Sequence, residues 1–445
     1  MKHTTIHITD INTRGQGVGR IDNKVVFVDR TVPGDLAKVV IIQEKKKYMV
    51  GVMEELIEPS VNRTEPFCPY FGTCGGCQLQ HIDYPTQLHL KEKRIRAELH
   101  KTIQTDGIHF MPMQGMATPS RYRNKSQFKV SKQGLGFYAE NSHRLVSIQE
   151  CPLQEFETEH LIKSYQKHFG TKEISFYNEK THQGYFRGLH FRSNWRGELM
   201  AIFVVNGKKN LGFSKAIEGY LSDVPEITSA YYNYNPGQSN ALLGNKSEHI
   251  WGVKDFTDKI GPFTFHLGPT SFFQVNRNQT ERLYTIARDM LAERQIDTLY
   301  DCYCGVGSIG IFLSENVERV VGIEVVPQAV EHAAENARCN NVQNATYILG
   351  KAEIVFPAII KDKDIENDVV VLDPPRKGCD PILLDAIAES QCPTLLYISC
   401  NPATLARDLG ILTEKGYQVE KVKGVDMFPQ TSHVEMVVLM SRVEK

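Results

Sequence analysis

The sequence has no apolar run approaching the roughly 18 residues that span a bilayer, and no charged N-terminal region followed by an apolar stretch. Membrane residence and export are set aside, and the chain is expected in the cytosol without a membrane partner. Net charge is also lacking: 51 Lys and Arg against 52 Asp and Glu leave −1, so no global excess announces a nucleic-acid partner. Internal repeats and low-complexity tracts are absent, which excludes solenoid and fibrous architectures.

What is present is more telling. A length of 445 residues exceeds what one core usually supports, so two or three domains are expected. Ten cysteines in a chain without an export signal point to metal binding or chemistry rather than a disulfide scaffold. Charge is uneven along the chain: residues 85–150 carry eleven Lys and Arg against five Asp and Glu. Such a segment could follow phosphates, although a solvated basic face is the plainer reading.

Residues 1–58 read as short strands (3–8, 25–29, 36–43 and 48–56) separated by turns at Gly15, Gly17, Gly19 and Pro33-Gly34-Asp35, the pattern of a small oligonucleotide-binding barrel. The Arg14–Arg20 glycines lack the helix and acidic residue of a dinucleotide fingerprint. Residues 59–265 form a central α+β region with a Cys-rich start, a charged helix over 86–100 and strand-like alternation from about 120. From 266 to 445 amphipathic helices alternate with buried strands over 298–303, 319–324, 368–373 and 394–399, which demands an α/β, doubly wound parallel sheet. A final pair of strands lies in 424–440.

In this last region Asp301-Cys-Tyr-Cys-Gly-Val-Gly-Ser-Ile-Gly310 follows a strand and opens a helix, and Glu324 ends the next strand, where a carboxylate can accept ribose hydroxyls. A dinucleotide and S-adenosylmethionine both fit. Asp373-Pro-Pro, at the end of Val369–Leu372, favours the methyl donor. Cys400 stands where a buried strand becomes a helix, with Asn401 as N-cap and Pro402 at the first helical position. The free N–H groups there favour a thiolate. A thiolate adding to C6 of uracil puts electron density on C5, which can then take a methyl group. A base must afterwards remove the C5 proton. Glu435, at the start of an apolar strand, is the candidate, with His433 a less favoured rival.

On Phe272–Asn276, Asp301–Gly307, Asp373–Gly378, Ser399–Pro402 and His433–Glu435, the chain resembles the bacterial RNA 5-methyluridine methyltransferases that carry an N-terminal TRAM domain. The resemblance covers nearly the whole length. It implies a TRAM barrel in 1–58, a Rossmann-like methyltransferase domain in 266–445, and a monomer. It further implies that Gln274, Tyr303, Glu324 and Asp373 contact S-adenosylmethionine, with Cys400 as nucleophile and Glu435 as base. Cys302 stands where an aliphatic residue is expected and should face the core.

Cys68, Cys74 and Cys77 bring three thiols together, and Cys151 is a natural fourth; four thiolates suit zinc or an iron–sulfur cluster. The resemblance implies [4Fe–4S] and favours 23S ribosomal RNA as substrate over the transfer RNA T-loop. Arg121–Lys125 and Lys45–Tyr48 mix cations with an aromatic ring and are candidate RNA contacts. Two rival readings remain. A radical S-adenosylmethionine enzyme would need a C-x-x-x-C-x-x-C triad, which is missing, and a non-catalytic RNA-binding factor would have no use for Cys400, Asp373 and Glu435 together.

Overall fold

A computed structural model describes residues 2–170, 173–239, 241–361, 363 and 365–443, so the expected segments' outermost residues, 1, 444 and 445, lie outside it. The N-terminal unit is a six-stranded sheet whose strand order is Lys2–His7, Leu36–Glu44, Tyr48–Glu58, Lys24–Val28, Gly17–Ile21, Asp10–Ile11. Ile6, Ile8, Val26, Val28, Val39 and Met49 fill its small core. The glycines of Arg14–Arg20 serve packing rather than a ligand. A Cβ on Gly19 would lie 2.6 Å from the carbonyl oxygen of His7, so only glycine lets these strands approach. The stretch expected as a connection is therefore itself a strand.

The central region forms a seven-stranded, mostly antiparallel sheet that includes Lys125–Ser131, Phe186–Ser193, Leu199–Val205 and Ile227–Tyr234. One face holds an aromatic-rich core in which Phe169, Phe186 and Phe203 pack against Phe213 of the helix Leu211–Asp223. The other face brings Met200, Ile202 and Val204 into the core of the C-terminal unit. These two units are thus welded by apolar packing.

The C-terminal sheet runs Ala345–Leu349, Arg319–Glu324, Thr298–Asp301, Val369–Leu372, Thr394–Ser399, then antiparallel Glu435–Arg442, then Tyr417–Val425. Its inner strands, Val369–Leu372 and Thr394–Ser399 above all, are buried along their whole length because helices cover both faces. The chain order reverses between Thr298–Asp301 and Val369–Leu372, the switch point where such sheets open a crevice at their carboxyl ends. Cys302 faces the core and is 1% exposed. An eighth strand, His109–Gln114, pairs in parallel with Tyr417–Val425. Although the sequence groups it with 59–265, it and the helix Tyr84–His100 are built onto the C-terminal unit, with Ile95 and Leu99 in its core.

A buried ion pair fastens that helix. Lys91 Nζ lies 2.6 Å from Asp426 Oδ1, with neither side chain more than 2% exposed, and Tyr84 donates to the other Asp426 oxygen at 2.9 Å. The loop it holds leads directly into Glu435. Among the described residues no helix is long and apolar enough to cross a membrane.

Candidate active site

Carboxylates end neighbouring strands at the switch point. Asp301 closes Thr298–Asp301, Glu324 closes Arg319–Glu324, and Asp373 follows Val369–Leu372. Glu324 is held as a clasp: it accepts from the N–H of Gly305 at 3.1 Å and of Val326 at 2.8 Å. Gly307, with φ of 81°, turns the loop into the helix Ser308–Leu313, and a Cβ there would meet Tyr347 Oη at 2.8 Å. Asp301 is fully buried, and neither of its oxygens has a partner in hydrogen-bond geometry, although the N–H groups of Tyr303 and Gly310 face it. Burial pushes Asp301 up to about 7, with Asp373 and Glu324 adding to the rise. Burial alone pushes Asp373 up to about 7. Crowded carboxylates, with Asp301 unpartnered, suit a ligand that brings hydroxyl donors and positive charge, as S-adenosylmethionine does.

Cys400 follows the buried strand Thr394–Ser399. Asn401 caps the next helix, Pro402–Glu414, its side chain accepting from Ala403 N–H at 3.2 Å, and Pro402 takes the first turn. Asn401 also braces a neighbouring loop. Its amide donates to the Arg376 carbonyl at 3.1 Å, where the Thr404 hydroxyl also donates at 3.3 Å. Arg407 holds the Lys377 carbonyl at 3.0 Å. The Asp373-Pro-Pro-Arg-Lys-Gly378 loop is thus laced to the helix that presents Cys400.

Ser399 pairs with Met436 across the antiparallel strands, so Glu435 sits beside Cys400 at the sheet's edge. Glu435 is 4% exposed, and burial, followed by Asp373, raises it well above the usual carboxylate range, opposed by Arg376. Burial, then Glu435 and Asp373, push the Cys400 thiol up to about 11, and Arg376 only partly offsets them. Burial is the largest cause and the two acids add to it, both working against the thiolate that the helix N-terminus favours. His433 is pushed down to about 4 by burial and by Arg376, Lys91, Arg94 and Arg123, which leaves it a weaker base than Glu435.

The remaining expected residues come in from other elements. Tyr303 follows Asp301 and lies against the Cys379 thiol. Gln274 is buried just before the helix Arg277–Leu291, and its carbonyl accepts from the Asn124 side chain at 3.1 Å. Beside it Phe272 is 71% exposed. Sequence reading passed over Arg376 and the Asp301 carboxylate as site residues. Asp301 was visible as the residue before the glycine loop, at the strand end where the carboxylates gather.

Cys68, Cys74, Cys77 and Cys151 all line one cavity of about 430 Å³, whose wall also includes Arg123, Arg376 and His433. Burial pushes Cys77 up to about 12 and raises Cys68 and Cys74, and Cys151 adds to each rise. Among the described residues no three His, Cys, Asp or Glu side chains converge tightly enough for a single metal ion. The Arg121–Lys125 stretch is not an open stacking surface. Tyr122 is 3% exposed and donates to the Pro429 carbonyl at 2.9 Å, while Arg121 pairs with Glu157 at 3.1 Å. Lys45–Lys47 remain exposed on the barrel.

Comparison with known proteins agrees with this geometry. Residues 258–443 match the tRNA (uracil-5-)-methyltransferase family and residues 2–53 the TRAM domain. An RNA methyltransferase of Clostridium tetani is 40% identical, covering 98% of this chain and 95% of its own. One from Clostridium acetobutylicum is 38% identical, with coverages of 99% and 97%. The crystal structure of Pyrococcus abyssi tRNA (uracil-54, C5)-methyltransferase, in complex with S-adenosyl-L-homocysteine, superposes with a TM-score of 0.78 at 25% identity, over 98% of this chain and 100% of that one. The chain therefore belongs to the S-adenosylmethionine-dependent RNA (uracil-5-)-methyltransferase family and carries a TRAM domain at its N-terminus.

Proposed function

We propose that this enzyme methylates C5 of a uridine in 23S ribosomal RNA through a transient bond between Cys400 Sγ and C6 of the uracil ring. The observation that carries the reading is the juxtaposition of Cys400 and Glu435 on paired strands beside a carboxylate-rich crevice. Glu324 would hold ribose hydroxyls, and Gln274, Tyr303 and Asp373 the rest of the methyl donor. When bound, S-adenosylmethionine supplies the methyl group and a positive charge that would offset the repulsion which Glu435 and Asp373 add to the burial of Cys400.

With that repulsion offset, Cys400 gives its proton to solvent and its sulfur adds to C6, moving the ring's electron pair toward C5 and O4. C5 takes the methyl group and S-adenosylhomocysteine is left. Glu435 removes the C5 proton, the C5–C6 double bond re-forms, and the Cys400 thiolate leaves. Its burial makes Glu435 a stronger base than an exposed glutamate. The target base must leave its stack to reach Cys400.

Cys68, Cys74, Cys77 and Cys151 would each bind one iron of a [4Fe–4S] cluster, tying the 68–77 segment to the central region. The resemblance to the iron–sulfur type of the family favours the ribosomal substrate; similarity to the archaeal transfer RNA enzyme supports the T-loop as second reading. Mapping 5-methyluridine in RNA from cells with and without the enzyme separates them. Loss from 23S RNA is expected, and loss from transfer RNA alone would reassign the substrate.

A further inference from the structure

On the face of the central sheet turned toward the C-terminal unit, cations meet in register. Lys125 on Lys125–Ser131 lies directly across from Arg192 on Phe186–Ser193, and His190 is two residues further along, opposite Gln127. Arg123 adds a third positive charge next to Lys125. Arg192 and His190 are each 2% exposed, and Arg192 Nε and His190 Nδ1 have no hydrogen-bond partner. Asp258 faces Arg192, but the neighbouring acids make their close ion pairs with other cations. Asp258 and Glu155 are both bound to Arg277, at 2.8 Å and 3.0 Å, and Glu179 pairs with Lys129 at 3.1 Å.

Like charges crowded in a half-buried place raise the energy of the free protein. Burial, then Arg192 and Arg123, push Lys125 down to about 7, and burial, then Lys125 and Lys129, push His190 down to about 3. A cluster so arranged is satisfied by an anion from outside the chain. Its setting indicates which anion. Arg192 donates to the Ser271 carbonyl at 2.6 Å, next to the exposed ring of Phe272, and Asn124 donates to the Gln274 carbonyl. Arg123 lines the same cavity as Arg376, the residue that faces Cys400.

We propose that Lys125, Arg192 and Arg123 form a phosphate site that binds a phosphodiester of the RNA strand entering beside the target uridine. The site rests on the function proposed above and adds to it the anchor that fixes the strand relative to Cys400. Arg192 presents a fork with one N–H already used on Ser271, and the Lys125 ammonium provides the mobile charge.

The test uses the full-length protein and a nine-uridine oligonucleotide, with affinity measured against salt. Lys125→Met should weaken binding about tenfold and flatten the plot of log affinity against log salt by about 0.7, the loss of one single-strand phosphate contact. Lys125→Arg should keep the wild-type slope. Binding of S-adenosylhomocysteine should be unchanged in both. Lys125→Met should melt at or above the wild-type temperature, because it removes repulsion rather than a bond. An unchanged affinity and slope, or weaker binding at an unchanged slope, would overturn the proposal. So would a lower melting temperature with RNA binding intact. Failure of Cys400 to form an RNA adduct would instead remove the proposed chemistry and leave this binding result standing.

Discussion

At the level of single residues the site is governed by the company its acids and thiol keep. A cysteine at a helix N-terminus is legible in the sequence, as are its capping asparagine and the proline after it. Its charge state is not. That depends on burial first and then on Glu435 and Asp373, which lie 35 residues after and 27 before it and meet it only because three strands come together there. The thiol, pushed up to about 11, should react slowly with iodoacetamide at pH 8 and faster as pH rises toward that value. Replacing Glu435 with Gln removes from beside the sulfur a carboxyl group that, once ionised, opposes the thiolate. The alkylation midpoint of the Cys400 peptide, followed by mass spectrometry, should then shift to lower pH, while turnover stops because the C5 proton stays in place. A midpoint that stays put or rises would show that the carboxylate does not face the thiol.

Among elements, the parallel strands announced themselves as apolar runs. Others left no such mark. The helix Ala352–Ile360 contains Pro357 and few polar residues to reveal a face. The strand His109–Gln114 is recognisable only through pairing with Tyr417–Val425, roughly three hundred residues away, and has no pattern of its own. What binds this outer layer to the site is the Lys91–Asp426 pair beneath the loop that enters Glu435. Lys91→Met would leave Asp426 buried without its counter-charge, a loss of about 3–5 kcal/mol. Calorimetry should record a clearly lower melting temperature for the single variant, and most of it restored by adding Asp426→Leu. Equal melting of wild type and Lys91→Met would mean that the pair holds nothing in place.

Across the whole molecule, barrel, cysteine segment and central sheet converge on one end of the methyltransferase sheet. The Gln430 carbonyl accepts from the N–H groups of Gln78 and Leu79, both at 3.0 Å, just after Cys77 and five residues before Glu435. Ser432 in turn donates to the Thr13 carbonyl of the barrel at 2.9 Å. Nothing in the sequence foretold that the cysteine segment would bond to the loop leading into Glu435. Protein prepared anaerobically should contain about four irons per chain, and Cys77→Ala should lose them together with much of its methylation rate; iron-free wild type with full activity would contradict the cluster. All of this turns on the sulfur at position 400. RNA carrying 5-fluorouridine keeps its C5 fluorine where a proton would be removed, so the wild-type enzyme with S-adenosylmethionine should end as a stable protein–RNA adduct through the Cys400 peptide. Cys400→Ala should form none and should not methylate RNA. Adduct or methylation by that variant at the wild-type level would contradict covalent catalysis.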